Sequence, residues 1–332
     1  MTQDHYDVII IGGGPAGLGA ALYASRDRYK TLMLEKYFPG GQIMTTDRIE
    51  NYPGFESIDG ASLIMKMQKQ VETFGTEIKT TAEVTGLKKL VSGEIEVVCE
   101  DASYRAKAVI PAPGSSYRKL GAPGEDELRN AGAGVSYCGT CDAPFFRDKE
   151  VVSIGGGNTA VEEILHLTKY ASKVTMLHRR EEFRAAKILV EELEAKVQEP
   201  GSNLVIKYNS VCTAIEGDGK CQSAKIKNVK TGDVEDYPCD GVFIFVGMVP
   251  NTAFLKDSIE LTESGFIKCD PARLRTSMPG VFVAGDCRTG ADMQLITAVA
   301  DGVSAAMTLK EYYRDPNWWT AKEDADLQPT GF

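Results

Sequence analysis

Near its start the chain has a fully apolar segment, residues 8–11, followed by a glycine-rich turn. A continuous apolar run of this length is typical of a strand buried on both faces at the centre of a parallel sheet. Residues 18–26 then read as a helix, and residues 31–34 read as the second strand. This pattern predicts a βαβ unit whose helix starts at the glycine-rich turn.

The same order of strand, glycine-rich turn, helix and strand occurs a second time. Residues 151–154 and 174–177 are the predicted strands, and residues 161–167 are the predicted helix. Two such units predict an α/β fold with two dinucleotide-binding, Rossmann-like, three-layer domains. Between the units, residues 94–100 and 104–110 are predicted short strands, because turn residues precede each of them.

The second unit is predicted to be inserted into the first. Residues 241–246 read as its last strand, whereas residues 276–286 read as an apolar strand without a binding turn, which we assign to the first sheet. Glycine and proline at residues 112–116 and 247–252 mark two joints, where the domains could swivel. The predicted boundaries are a discontinuous first domain of residues 1–115 and 249–332, and an inserted domain of residues 116–248.

Composition fits an enzyme of about two domains. The chain has 332 residues, 43% of them hydrophobic, and a net charge of −10, which offers no electrostatic basis for nucleic-acid binding. The longest uncharged stretch, residues 8–25, follows acidic residues and contains GGGPAG, unlike a signal peptide. No apolar run reaches the roughly 20 residues of a membrane span. We expect a cytoplasmic protein, whose acidic end, residues 315–332, packs onto the body or onto a dimer mate.

The eight cysteines fall into two groups. Six have no paired spacing, and without a signal peptide we expect them to be reduced thiols. They are Cys99, Cys212, Cys221, Cys239, Cys269 and Cys287. Cys138 and Cys141 form a Cys-x-x-Cys before the second βαβ unit, which favours a redox-active pair. A zinc site is the alternative, but no second Cys or His pair stands at ligand spacing, so we expect no metal.

The first turn, GGGPAG, has the residues that a dinucleotide site needs. Gly12 permits the tight bend, Gly14 lets the backbone approach a pyrophosphate, and Gly17 allows close packing of helix on strand. The pyrophosphate would lie at a helix N-terminus, where free N–H groups favour anions. Glu35 ends the second strand, 21 residues after Gly14, and is placed to bind ribose hydroxyl groups.

The second turn can be compared with the first position by position. Adding 143 to the numbers of the three first-turn glycines gives Gly155, Gly157 and Ala160. Adding 143 to Glu35 gives His178, so the ribose-binding acid has no counterpart in the second unit.

A basic cluster takes the place of that acid: Arg179, Arg180 and Arg184. Arginine can grip a ribose 2′-phosphate, which a carboxylate would repel, so this unit should prefer NADPH to NADH. The alternative is a solvated basic helix start in which Glu181 and Glu182 simply pair with the arginines.

Two nucleotide units and a dithiol in one chain suggest a third redox group. A nicotinamide delivers a hydride, and direct transfer from it to a disulfide is poor chemistry, so a flavin normally stands between them. This reasoning assigns FAD to the first unit and NADPH to the second.

Eight motifs along the chain can be read together: GGGPAG, GGQ (40–42), ENYPGF (50–55), SYCGTCD (136–142), GGGNTAVEE (155–163), HRREEFRA (178–185), VPNT (249–252) and GVFVAGD (280–286). In these motifs the chain resembles the low-molecular-weight, bacterial-type thioredoxin reductases of the pyridine nucleotide-disulfide oxidoreductase family. The resemblance spans residues 6 to about 306 and implies a homodimer that reduces thioredoxin and whose NADPH domain rotates against its FAD domain.

The resemblance also implies roles for single residues. Cys141 would face the flavin, Cys138 would attack the disulfide of thioredoxin, and Asp142 would handle protons. It assigns FAD contacts to Gln42, Asn51, Asp286 and Gln294. We add to the predicted cofactor contacts Pro15, Ala16, Lys36, Gly41, Val84 and Met293 for FAD, and Asn158, Thr159 and His178 for NADPH.

Three positions depart from the pattern of the family. Pro113 replaces a threonine in the outgoing joint, and proline fixes φ and removes a donor, which would stiffen or re-aim the swivel. Met293 precedes Gln294 where arginine is usual, so we expect a lower flavin potential than in arginine-bearing relatives. A redox titration in which Met293→Arg changes nothing would contradict this. Ala143 replaces a glycine, and we have no interpretation of that change.

Four alternatives to an NADPH-dependent thioredoxin reductase remain at this stage. A flavin dithiol oxidase would pass electrons to oxygen, and a reductase fed by ferredoxin or another flavin would use a different donor. The arginine cluster argues against both, although Met293 keeps the second open. A ferredoxin–NADP reductase of this fold would have no dithiol, and a non-catalytic FAD-binding protein would not need one.

Overall fold

The computed structural model describes residues 5–46, 48–315 and 318–319. The strands are β1 His5–Ile11, β2 Thr31–Leu34, β3 Glu77–Lys79, β4 Val84–Lys89, β5 Ile95–Cys99, β6 Ser103–Pro111, β7 Ser115–Tyr117, β8 Val135–Ser136, β9 Glu150–Gly155, β10 Lys173–His178, β11 Leu204–Tyr208, β12 Ser210–Glu216, β13 Ser223–Asn228, β14 Val234–Pro238, β15 Gly241–Phe245 and β16 Met248–Pro250. The α-helices are α1 Pro15–Arg26, α2 Gly60–Thr73, α3 Glu125–Asn130, α4 Gly139–Asp142, α5 Asn158–Leu167, α6 Lys187–Gln198 and α7 Leu295–Arg314.

The chain divides into two compact units. The first consists of residues 1–116 and 249–332, and the second of residues 117–248. Among the described residues, no helix is long and apolar enough to cross a membrane.

The first unit is built on a sheet of strand order β3-β2-β1-β6-β5-β4, in which β3, β2, β1 and β6 are parallel. Side chains of β1 alternate between two cores. Val8 and Ile10 pack with α1 and α7, whereas Ile9 and Ile11 pack on the opposite face with residues such as Leu255. Burial on both faces explains why the sequence of β1 is continuously apolar.

The apolar segment 276–286 is not a regular strand, contrary to our expectation. It nevertheless runs beside β6, because the amides of Phe282 and Ala284 donate to Val109 and Pro111 at 2.9 and 3.1 Å. The pairing of β5 with β6 ends at Ala106, so this end of β6 has a free edge. The segment occupies that edge over too few residues to form a continuous ladder.

Helices α1 and α7 of the first unit touch through their backbones. A Cβ atom on Gly302 would overlap the carbonyl oxygen of Ala16, and one on Gly19 would lie 2.8 Å from that of Val299. Trp318 and Trp319 pack against the same core, and the rest of the acidic end beyond Asp315 lies outside the described residues.

The second unit repeats the plan of the first. Its parallel sheet has the order β11-β10-β9-β15-β8. Val151 of β9 packs towards α5 and α6, whereas Val152 and Ile154 pack towards the antiparallel sheet β12-β13-β14. Each unit therefore has three layers around a central sheet, which is parallel in the second unit and carries the antiparallel strands β5 and β4 at one edge in the first.

The two segments that connect the units, β7 and β16, pair with each other. Next to them, the amide of Asn251 donates to Gly114 O at 3.0 Å, and its side chain donates to Pro113 O at 3.0 Å. On the other side, the amide of Arg118 donates to Gly247 O at 2.9 Å. Pro113 has no N–H to donate, but its carbonyl accepts a hydrogen bond from the side chain of Asn251.

Candidate functional site

The first glycine-rich turn joins β1 to α1. Gly12 has φ +106°, which glycine adopts readily, and a Cβ atom there would overlap Ala112 O. A Cβ atom on Gly17 would overlap Gly12 O, whereas one on Gly14 would meet nothing within 4 Å. The turn is therefore closely packed on one side and open at Gly14.

The N-terminus of α1 suits an anionic group. Gly14 is the N-cap and Pro15 follows it, with no side-chain cap and no acid in the first turn. The amides of Ala16 and Gly17 thus have no partner from a capping side chain, and the open space at Gly14 would let a diphosphate approach them. These features fit the phosphates of FAD.

Glu35 is bound to the glycine-rich turn. Its Oε2 accepts a hydrogen bond from the amide of Gly13 at 2.6 Å, and its Oε1 accepts one from the amide of Tyr37 at 2.9 Å. Lys36 lies beside it, but its ammonium pairs with Glu83 at 2.7 Å. Glu35 is thus held beside the turn, while the charge of Lys36 is engaged elsewhere.

Several of the other predicted FAD residues meet around Ser115. The side-chain amide of Gln42 donates to Ser115 O, and Ser115 Oγ donates to the backbone carbonyl of Asp286. Gly41 lies next to the glycine-rich turn, since its Cβ would be 3.7 Å from the Cα of Gly14. Ser115 was not predicted from sequence, because only the fold brings it between Gln42 and Asp286.

Asp286 has a half-buried carboxylate, and no described residue donates a hydrogen bond to it. Burial, and to a lesser extent the charge of Asp301, raise its pKa to about 6, while Arg288 acts in the opposite direction. Arg288 binds Asp301 through two contacts of 2.6 and 2.8 Å, and Asp301 also accepts the amide of Gly285 at 3.0 Å. Asp286 is thus held as an acceptor that a ligand hydroxyl group could satisfy.

The remaining predicted FAD residues are spread over the first unit. Gln294 is the N-cap of α7, and its carbonyl accepts the amide of Ala298 at 2.9 Å. Met293 before it has φ +57°, which is uncommon for a residue with a side chain. Val84 is buried at the start of β4, and Asn51 is exposed and makes no hydrogen bond with a described residue.

The second glycine-rich turn has the same local form as the first. Gly157 is the extended N-cap of α5, and a Cβ atom there would meet nothing within 4 Å. Gly155 packs closely, since its Cβ would be 2.5 Å from that of Ala160. The helix has no side-chain cap and no acid in its first turn; Thr159 is exposed, and Asn158 Oδ1 accepts the amide of Ala186 at 2.8 Å.

His178 supports this turn from below. Its ring is 4% exposed, with Nδ1 2.9 Å from Gly155 O and Nε2 2.9 Å from Glu182 O. A Cβ atom on Gly156 would overlap the ring, and the amide of Arg184 donates to Gly156 O at 3.0 Å. Both ring nitrogens face backbone carbonyl groups of the protein, so His178 orients the following loop, and neither nitrogen is turned towards a ligand.

The three arginines of this loop are exposed and available. Arg179, Arg180 and Arg184 form no ion pair with any carboxylate in the described part of the chain. Glu181 pairs with Lys230 instead. The alternative in which neighbouring glutamates neutralise the arginines is therefore not what the structure shows.

Cys138 and Cys141 form a disulfide with a Cα–Cα distance of 5.3 Å. Cys138 is the N-cap of α4, and its Sγ accepts the amide of Cys141 at 3.1 Å. Cys138 is half-buried and Cys141 is exposed. The same amide is therefore placed to stabilise a thiolate on Cys138 once the disulfide is reduced.

Asp142 closes this short helix and lies beside the disulfide. Burial raises the pKa of its carboxyl group, and the hydrogen bond from Ser136 opposes that shift. Ser136 Oγ lies 2.5 Å from Asp142 Oδ2 and also accepts the amide of Cys138 at 3.1 Å. One hydroxyl group thus joins the acid to the backbone of the first cysteine.

Glu163 fixes the loop of the disulfide to α5. Its carboxylate accepts the amide of Thr140 at 2.7 Å and the hydroxyl of Thr140 at 3.0 Å. A Cβ atom on Gly139 would overlap Glu163 Oε2, so the contact requires glycine there. Sequence reasoning missed the roles of Ser136 and Glu163, although both stand inside motifs that carried the resemblance.

Comparison with known proteins matches this arrangement over almost the whole chain. The family model of the pyridine nucleotide-disulphide oxidoreductases matches residues 6–302. A thioredoxin reductase of Peptoclostridium litorale is 44% identical over 94% of this chain and 98% of its own. One from Bacillus subtilis is 41% identical over 93% of this chain and 95% of its own.

Solved structures agree with the sequence relatives. A thioredoxin reductase of Streptococcus pyogenes has a TM-score of 0.86 and 42% identity, covering 94% of this chain and 99% of its own. One from Giardia duodenalis has a TM-score of 0.86 and 37% identity, covering 94% and 100%. With its two glycine-rich turns and its disulfide, the chain belongs to the pyridine nucleotide-disulphide oxidoreductase family, within its group of low-molecular-weight thioredoxin reductases.

Proposed function

We propose that this protein reduces the disulfide of thioredoxin with electrons from NADPH, using FAD and the Cys138–Cys141 pair. The observation that carries the proposal is the disulfide with its adjacent acid, Asp142, in a chain that also has two open glycine-rich turns. Bound FAD would supply the link between a hydride donor and a disulfide acceptor. The family of the chain supports the same activity.

Exchange with thioredoxin would use the two cysteines in sequence. After two electrons have opened the disulfide, the Cys138 thiolate attacks one sulfur of the thioredoxin disulfide and forms a mixed disulfide. Cys141 then attacks Cys138, which re-forms the internal disulfide and releases both sulfurs of thioredoxin as thiols. Asp142 would give a proton to the first leaving thiolate, since burial raises its pKa.

NADPH would bind at the second turn, with its diphosphate at the start of α5. The exposed Arg179, Arg180 and Arg184 support this assignment, because unpaired guanidinium groups suit a ribose 2′-phosphate. His178 would position this loop, and Asn158 and Thr159 would contact the nucleotide from the first turn of α5.

FAD would bind in the first unit, residues 1–116 and 249–332, and NADPH in the second. The start of α1 and Glu35 would hold the diphosphate and a ribose, and Asp286 would accept a hydroxyl group. Gln42, Asn51, Met293 and Gln294 would complete the flavin site, as the family implies.

A homodimer in the cytoplasm is the setting that we propose. The family implies the dimer. Six cysteines are free thiols in the structure, which fits a reducing compartment.

An anaerobic experiment tests the function. NADPH should bleach the yellow protein far faster than NADH does, and oxidised thioredoxin should restore the colour. Bleaching only by dithionite or reduced ferredoxin would overturn the proposed donor, and a colour that oxygen alone restores would indicate a dithiol oxidase.

A cysteine variant tests the exchange step. Cys138→Ser should still be bleached by NADPH but should lose thioredoxin turnover, because no nucleophile remains for the acceptor disulfide. Cys212→Ser, at a free cysteine outside the proposed machinery, should turn over normally. Thioredoxin turnover by Cys138→Ser would remove Cys138 from the mechanism.

A further inference from the structure

A second pair of cysteines lies in the second unit, outside the Cys-x-x-Cys motif. The Sγ atoms of Cys221 and Cys239 are 3.9 Å apart, and the two residues are 2% and 6% exposed. Cys221 ends the turn between β12 and β13, and Cys239 lies between β14 and β15. Eighteen positions separate them in sequence, so the fold, and not local geometry, brings the sulfurs into contact.

The backbones of both cysteines are held in place. The amide of Cys221 donates to Ala133 O at 2.7 Å, and that of Cys239 donates to Gln222 O at 3.0 Å. A Cβ atom on Gly134 would lie 2.7 Å from that of Cys221, so a glycine is what leaves room for this side chain. Because the main chain is fixed, bond formation depends on rotation of the two side chains.

Exposed residues flank both cysteines, so a small reagent can approach the sulfurs from solvent. Residues 216–220, directly before Cys221, are exposed, and so are the two neighbours of Cys239, Pro238 and Asp240. Each buried cysteine is thus next to an exposed residue in sequence, and both lie in connections between strands.

We propose that Cys221 and Cys239 are a second redox-active dithiol, which a peroxide converts into a disulfide that thiols can reduce. One thiolate sulfur attacks the peroxide oxygen, the O–O bond breaks, and a sulfenic acid and hydroxide form. The other thiol then displaces the sulfenic oxygen, so that an S–S bond forms and water leaves. Two thiols and one hydrogen peroxide give one disulfide and two water molecules.

The contact between the two sulfurs favours Cys221 as the one that attacks the peroxide. A hydrogen bond from the Cys239 thiol holds the pKa of Cys221 below its ordinary value, whereas the same contact raises the pKa of Cys239. A lowered pKa increases the thiolate fraction of Cys221, and the proton on Cys239 keeps its neighbour a thiol.

Cys212 belongs to the same apolar cluster and provides the matched control. Its thiol donates to Ala214 O at 3.3 Å, and burial raises its pKa to about 11. It shares the surroundings of the pair but has no sulfur contact of the kind that joins Cys221 to Cys239.

The test uses the oxidised wild-type holoenzyme, in which six cysteines are free. Hydrogen peroxide should lower the number of thiols titrated in denaturant by two, and a non-reducing peptide map should show Cys221 joined to Cys239. Dithiothreitol should restore both thiols. The same loss should occur in Cys212→Ser and should be absent in Cys221→Ser and in Cys239→Ala.

Three results would overturn the proposal. These are unchanged thiols in the wild type, a bond from either cysteine to Cys212, and irreversible oxidation of Cys221 to the sulfinic acid without a bond to Cys239. None of these results depends on NADPH, FAD or thioredoxin chemistry, so the proposed function would stand.

Discussion

At the residue scale, one hydroxyl group controls the surroundings of the proposed proton donor. Ser136 Oγ lies 2.5 Å from Asp142 and 3.2 Å from the carbonyl of Cys138. Burial raises the pKa of Asp142, so its proton is kept to higher pH than on an exposed aspartate. A proton donor of this kind loses activity as the pH rises through its pKa.

Removal of the hydroxyl should move the pH profile in a defined direction. The bond from Ser136 lowers the pKa of Asp142, so Ser136→Ala should raise it further and shift the alkaline decline of kcat/KM for thioredoxin to higher pH. Ser136→Thr, which keeps a hydroxyl, should restore the wild-type profile, and Asp142→Asn should lower the rate by about 10²- to 10⁴-fold. A profile that moves to lower pH in Ser136→Ala would contradict this assignment.

Asp286 should make the cofactor-free protein less stable as the pH rises. Burial raises its pKa to about 6 from 3.8, so the folded state binds the proton more tightly than the unfolded state. The stabilising contribution is full below about pH 4 and is lost as the pH rises through about 6. A shift of this size corresponds to about 3 kcal/mol.

Chemical denaturation of the apoprotein at pH 5 and pH 7.5 would measure this effect. The free energy of unfolding of Asp286→Asn, relative to that of the wild type, should increase between these two pH values. A difference that does not change with pH would show that the carboxyl group titrates normally.

At the element scale, the loop between β10 and α6 should decide the choice of nucleotide. Arg184→Ala or Arg179→Ala should weaken NADPH binding about 10- to 100-fold, because each removes a charged hydrogen bond to the 2′-phosphate. Binding of NADH, which lacks that phosphate, should change little. Titration of both nucleotides would measure the two affinities.

Arg147→Ala is the matched control for this prediction. Arg147 is also an exposed arginine of the second unit, but its guanidinium lies over the ring of Tyr170, outside the loop. An equal loss for NADPH and NADH in Arg184→Ala would mean that the arginine supports the loop and does not bind the 2′-phosphate.

Strands whose own residue pattern shows that they are buried could be predicted from the sequence. The fully apolar run at residues 8–11 lies inside β1, because burial on both faces leaves a continuous apolar signal. Residues 151–154, which are apolar except for Ser153, lie inside β9. Residues 276–286 could not be judged in this way. Whether they form a strand depends on how far β5 covers β6, which is a property of the sheet.

The candidate site shows the same limit at single positions. The register between the two turns gave the position of His178 but not the direction of its ring, which lies below Gly156 and away from solvent. Glu163 holds Thr140 across 23 positions, and a contact of that length leaves no periodic pattern. Local chemistry was predictable, and the residues that orient it were not.

At the scale of the whole molecule, the second unit should fold without the first. Residues 117–248 are continuous and contain both of their own cores, one on each face of the sheet. A fragment of residues 117–248 should therefore unfold cooperatively and bind NADPH with an affinity near that of the full chain. Calorimetry and nucleotide titration would measure both properties.

The first unit offers the opposite case as a control. A fragment of residues 1–116 lacks α7, whose Ala305, Ala306 and Leu309 fill the core beside α1. It should stay largely unfolded. Cooperative folding of this fragment, or an unfolded fragment of residues 117–248, would contradict the independence of the two units.

The glycine contact between α1 and α7 fixes how these two helices pack, and their first residues form two ends of the proposed flavin site. Since backbone meets backbone at Gly302, a single added methyl group would have to displace one helix from the other. The displacement would reach Gln294, eight positions and about 12 Å back along the helix axis. The distance between the proposed phosphate-binding and ring-binding ends of the site thus depends on the absence of a side chain at Gly302, a residue outside the proposed site.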